Sequence, residues 1–83
     1  NTTMTAEEIQ SLIEGHVACE MCHVDGDGRH WYATVVSAAF DGVRTIARHQ
    51  KVYAAMGQRM KTDEVHALSI KAFTPSEWAK NNA

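Results

Sequence analysis

Five histidines, two cysteines and a short run of basic residues are the side chains of this chain that could do chemistry. Cys19-Glu20-Met21-Cys22-His23 has the C-x-x-C-H spacing of covalent haem attachment. That chemistry belongs to exported proteins, no secretory signal pattern precedes it, and the strand-rich sequence that follows offers no haem pocket. The same two thiols make half of a zinc site, which His16 and His23 could complete. Thiol redox chemistry lacks the βαβ surroundings of a thioredoxin-like fold. The plainer expectation is that Cys22 fills a core position as a small hydrophobe and Cys19 lies in the loop before it.

His30 and His66 are a second pair. Each stands near the start of an expected strand. If those strands are parallel neighbours, both imidazoles lie toward one end of the sheet. Such a pair can ligate a soft or borderline metal but leaves a four-coordinate centre half filled. The missing donors would have to come from another molecule. Two scattered histidines are more often plain surface residues. Arg44, Arg48 and Lys51 recur at i, i+4 and i+7, one face of a helix, where they could meet phosphates, an acidic partner or only water. Gly26-Asp27-Gly28-Arg29 joins two strands instead of opening a helix, and Asp27 would repel phosphate, so a turn is expected there. Asp25/Asp27 and Asp63/Glu64 read as solvated turns. No nucleophile–base arrangement is discernible, and an enzyme is not expected.

These side chains must be positioned by one small domain, since 83 residues cannot divide into two cores. Hydrophobic residues make up 45 % and charged residues 22 %, which excludes a disordered chain. A formal net charge of −2 supplies no global attraction to nucleic acid. No apolar run has the length of a membrane span, so no membrane partner is expected, and with no targeting segment visible a cytoplasmic location is expected. Residues 1–4 are read as a disordered start or a remnant ahead of the domain, which is expected over residues 5–80.

Thr5 and Glu8 form a capping-box pattern, followed by Ile9, Leu12 and Ile13 on one helical face, with Gly15 expected to end the helix. Met21–Asp25 alternates as a short strand, with Cys22 and Val24 on one side. Gly26-Asp27-Gly28 supplies the turn of a hairpin, and His30–Ser37 is rich in strand formers. A helix is expected over Val43–Lys61, with Ile46, Tyr53, Met56 and Met60 as its apolar stripe, Val52 widening it, and Gly57 as a weak point. Val65–Phe73 is the third strand. Thr74, Pro75 and Glu77 then mark the start of a terminal helix, with Trp78 as its expected anchor in the core. The order α-β-β-α-β-α implies an α+β fold with a three-stranded mixed sheet, the class II KH-like arrangement.

Six short segments, in this order and spacing, are similar to the BolA family, and to its short-loop YrbA/IbaG-like branch in particular. They are Gly26-Asp-Gly-Arg-His-Trp31, Val35-Val-Ser37, Phe40-Asp-Gly42, Arg48-His-Gln-Lys-Val-Tyr53, Val65-His-Ala67 and Thr74-Pro-Ser-Glu-Trp78. The resemblance implies the same α+β fold. It also implies an adaptor that pairs with a monothiol glutaredoxin of the C-G-F-S type to bind, transfer or sense a [2Fe–2S] cluster. The glutaredoxin cysteine and glutathione would hold one side, with His66 and His30 on the other and His23 as the fallback second ligand. The isolated chain would carry no cofactor and would be a monomer or weak dimer. Ligation needs neutral imidazole, so acid should weaken such a cluster. The alternative implied function is a KH-like nucleic-acid-binding transcription regulator contacting DNA through Arg44, Arg48 and Lys51. Stress response is the physiological setting the resemblance suggests.

Overall fold

The computed structural model describes residues 5–57 and 67–81. Helix α1 covers Ala6–His16 and is opened by the expected capping box: Thr5 Oγ1 accepts from the Glu8 amide, and the Glu8 carboxylate accepts from the Thr5 amide at 2.8 Å. Gly15 does not end it. The helix runs one residue further, and Val17 caps it in an extended conformation, donating to the Ile13 carbonyl at 2.8 Å.

Strands β1 (Met21–Gly26) and β2 (Trp31–Val36) form the antiparallel hairpin, and β3 (Leu68–Phe73) pairs with β2 in parallel. The sheet order is β1-β2-β3. Between β2 and β3, a short 3-10 turn at Ala38–Phe40 leads into helix α2 (Thr45–Ala54), and helix α3 (Pro75–Asn81) follows β3 directly. Among the described residues the expected α-β-β-α-β-α order over a mixed sheet is realised. It is an α+β fold.

Strand periodicity of two sends alternate residues to opposite faces. Cys22 and Val24, Trp31, Ala33 and Val35, and Leu68 and Ile70 face inward, where they meet Ile9 and Ile13 of α1 and Val52 of α2. Phe40 and Met56 close the core. His23, Tyr32, Ser69 and Lys71 lie on the other face and are exposed. Trp31 is 1 % exposed and is the largest fully buried side chain. Burial of an indole of that size dominates a core this small.

Helix α2 departs from expectation in two ways. It starts at Thr45, not Val43, and gives way after Ala54 to a tighter turn. There the amides of Ala55, Met56 and Gly57 donate to carbonyls three residues back, at 3.0, 3.0 and 3.2 Å. Gly57 has φ +55, the left-handed conformation that glycine adopts without a Cβ penalty. The rest of the expected helix, with Met60 and Lys61, lies outside the described residues. The second departure lies at the start of the stripe, since Val52, Met56 and Tyr53 do face the core. The buried line along α2 and the turn after it is Arg48, Val52 and Met56, at i, i+4 and i+8. Ile46 stands about 200° around the helix from Arg48 and is 68 % exposed, so it does not belong to the apolar stripe.

The terminal helix also differs from expectation. Thr74 and Glu77 make the predicted reciprocal cap: the Glu77 amide donates to Thr74 Oγ1 at 3.1 Å, and the Thr74 amide donates to Glu77 Oε1 at 2.8 Å. Yet α3 buries no residue completely. Trp78 is half-buried and packs on Phe73, with ring centroids 5.3 Å apart and planes tilted by 54°. It covers the end of the sheet, and the tryptophan that anchors the core is Trp31.

Candidate functional site

The loop from Gly26 to Trp31 is built around one carboxylate. Asp27 Oδ1 accepts from the amides of Arg29 and His30, both at 2.9 Å, and the Asp27 amide donates to the His30 carbonyl at 3.2 Å. These backbone bonds, that from His30 first, hold the Asp27 carboxyl below its ordinary range, and the nearby His30 ring adds a small effect in the same direction. Gly26 is required by close approach: a Cβ there would collide with the His30 carbonyl and sit 2.9 Å from Trp31 Cα. The loop is therefore a short, self-bonded turn that leaves the His30 side chain exposed.

Its neighbour Trp31 ties this turn to the third strand. The Trp31 amide donates to the Ala67 carbonyl at 3.0 Å, and the parallel register begins with Trp31 opposite Leu68. One residue ahead of that first pair stand His30 on one strand and Ala67 on the other. The expected parallel pairing is thus present, and the two strands start at one end of the sheet. His66 itself, and with it Val65, lies outside the described residues.

His23 is opposite Thr34 on the exposed face, and Cys22 is buried on the other, so the two side chains diverge as strand geometry requires. Three residues of strand separate His23 from Gly26, roughly 10 Å, so it is not beside His30. A shallow groove next to the loop is lined by Glu7, His23, Asp25, Gly28 and Trp31. Among the described residues, no three histidine, cysteine, aspartate or glutamate side chains gather as a metal site. The zinc centre considered from Cys19, Cys22, His16 and His23 is therefore not assembled.

The basic stripe is broken by its middle member. Arg48 is only 9 % exposed. Its Nε donates to the Val43 carbonyl at 2.7 Å, and Nη1 donates to the Ala72 carbonyl at 3.1 Å and to Glu77 Oε1 at 2.7 Å. The guanidinium also lies 5.8 Å from the centre of the Phe40 ring. Arg48 fastens α2 to β3 and α3 and is not presented to a phosphate. Arg44 and Lys51 remain exposed, one at the cap of α2 and one in its last turn. The local sequence carried no sign of this, because the partner of Arg48 is 29 residues away.

Comparison with known proteins agrees with this architecture. Residues 4–77 match the model of the BolA family of BolA-like proteins. The acid stress protein IbaG of Escherichia coli K12 is 37 % identical over 78 residues, which cover 94 % of this chain and 93 % of that protein. A Haemophilus influenzae protein named DNA-binding transcriptional regulator BolA is 35 % identical over 57 residues, covering 69 % of this chain and 54 % of that protein. The structure of a BolA homologue from Coxiella burnetii superposes with a TM-score of 0.74 at 37 % identity, covering 92 % of this chain and 97 % of that one. Mouse BolA1 shares the fold with a TM-score of 0.77 at 24 % identity, covering 100 % of this chain and 76 % of that one. These relatives are named as stress proteins and regulators, not as enzymes. No helix among the described residues is long and apolar enough to cross a membrane. With the family match spanning nearly the whole domain and the same fold in its solved relatives, the chain belongs to the BolA family.

Proposed function

We propose that this chain is an adaptor that holds a [2Fe–2S] cluster jointly with a monothiol glutaredoxin and glutathione, contributing His66 and His30. The observation that carries this is the position of His30. It is an exposed imidazole on a hydrogen-bonded turn, one residue from the point where β2 and β3 begin side by side. A cluster of this type needs four ligands, here two histidines, the glutaredoxin cysteine and the glutathione thiol. The described residues gather no set of three, so a chain of this kind would hold a cluster only by sharing it. Imidazole donates less strongly than thiolate, so a histidine-ligated cluster is the more readily released, which suits transfer or sensing. His23, roughly 10 Å away along β1, is the weaker choice for second ligand.

The test is reconstitution of the cluster with a monothiol glutaredoxin, glutathione and iron, followed by visible spectra of wild type, His66→Ala and His30→Ala. A heterodimer spectrum that changes in each variant supports the assignment. Retention of the wild-type spectrum by both variants defeats it.

A second reading, binding of DNA as a regulator, is favoured by the name of the Haemophilus relative. Arg44 and Lys51 are the exposed basic residues of α2 that would serve it, without Arg48. A gel shift that survives about 150 mM salt and is lost in the Arg44→Ala/Lys51→Ala double variant would establish it.

A further inference from the structure

Among the described residues, a sheet in the order β1-β2-β3 has β1 and β3 as its edges. An edge strand presents a row of outward backbone groups with which another chain can pair. The Asp27 amide donates to the His30 carbonyl across the hairpin. Alternation along β1 therefore turns the backbone groups of Asp25 and His23 toward β2, and those of Cys22, Val24 and Gly26 outward. On β3, the Ala67 and Phe73 carbonyls accept from the Trp31 and Ser37 amides, so Leu68, Ile70 and Ala72 face outward.

The chain's own side chains occupy both rows. On β1, the Val24 amide donates to Gln10 Oε1 of α1 at 3.2 Å, and the Gly26 amide donates to Asp25 Oδ1 at 2.9 Å. On β3, the Tyr53 hydroxyl donates to the Leu68 carbonyl at 2.8 Å, and Arg48 Nη1 donates to the Ala72 carbonyl at 3.1 Å. The β3 bonds stand at the two ends of their row, whereas Gln10 holds the centre of the β1 row. The centre matters for self-pairing. Two copies joined antiparallel about a twofold axis at Val24 would set Val24 against the partner's Val24 and Cys22 against the partner's Gly26. The central Val24 amides would donate to Val24 carbonyls across that axis, and these are the amides that Gln10 engages.

We propose that Gln10, seconded by Asp25, is a stop on the β1 edge that prevents a second copy of this chain from adding its own β1 there. With the stop in place, pairing exchanges one hydrogen bond for another, and the entropy cost of association is left uncompensated. With Gln10 removed, the Val24 amide has only water to lose, and pairing gains bonds between the copies. Alanine is the strongest helix former, so Gln10→Ala opens the edge without weakening α1.

The test is sedimentation velocity of wild type, Gln10→Ala and Gln10→Ala/Asp25→Ala over a concentration series up to about 1 mM. Amide hydrogen exchange is read at both ends of the series, and circular dichroism checks the fold. Wild type is expected to stay monomeric. Gln10→Ala should dimerise at least about tenfold more tightly than wild type, and the double variant more tightly still. The Cys22, Val24 and Gly26 amides should gain protection as the dimer forms, and the Ile70 amide should not. If Gln10→Ala fails to fold, Asp25→Ala, which leaves α1 untouched, carries the comparison in the same direction. A folded Gln10→Ala as monomeric as wild type would overturn the stop. So would a dimer whose new protection lies elsewhere, or a wild type that already pairs through β1. Neither substitution changes a histidine, so failure here leaves the cluster assignment standing.

Discussion

The two ends of β2 are built on opposite plans. At the Val36 end almost every polar group is engaged. Ser37 is fully buried; its hydroxyl donates to the Ala18 carbonyl and accepts from the Ala39 amide at 3.0 Å. The Ser37 amide donates to the Phe73 carbonyl at 2.9 Å, and Glu20 accepts from the Ala38 amide at 3.1 Å. Arg48, Glu77 and Thr74 complete the network beside it. At the Trp31 end, the backbone is equally well bonded through Asp27, but the His30 and Arg29 side chains project into solvent. A buried polar group must be satisfied, and satisfaction consumes its capacity to bind anything else. Arg48 illustrates the cost and His30 the freedom. A binding role is more readily placed where a side chain has no structural duty and the backbone beneath it is held.

The comparison breaks most severely if the anchor under the open end is removed. Trp31→Ala empties a fully buried site and should cost about 3–5 kcal/mol by urea unfolding. It would take the geometry of the His30 turn with it. Arg48→Ala comes next. It strands the Val43 and Ala72 carbonyls and uncouples α2 from α3, for an expected loss of about 2–4 kcal/mol. A basic residue acting only on a ligand would leave stability intact, so this measurement separates the two roles.

Glu77 sharpens the same contrast through pH. The Arg48 guanidinium beside it, with the Thr74 amide, holds its carboxyl at about 2 against an ordinary 4.5. Because the folded value is depressed, the stabilisation is complete above the ordinary value and is lost as pH falls from about 4.5 toward 2. Wild type should lose stability more steeply than Glu77→Gln over that window, with acid titration followed by circular dichroism as the check. The smallest effect is expected at the open end. His30→Ala should leave the unfolding midpoint unchanged to within about 0.5 kcal/mol, while altering any reconstituted cluster spectrum. A large destabilisation would mean that His30 has a structural duty after all.

The local features were legible in the chain itself. Thr5 with Glu8 and Thr74 with Glu77 announce two helix starts, because a capping box is written within four residues. Alternation along Cys22–Val24 and the Gly26-Asp27-Gly28 turn announce the hairpin, because strand side chains alternate at every residue. Those patterns determined the element order and the α+β class. They also placed His30 beside a turn. Only the tertiary structure decided that Ile46 leaves the expected stripe of α2 and that Arg48 joins Val52 and Met56 in the buried line. Only it determined that Trp31, and not Trp78, is the core tryptophan. The physical reason is range: a cap or an alternation is satisfied by neighbours in sequence, whereas the partner of Arg48 lies 29 residues away and is supplied only when three elements pack.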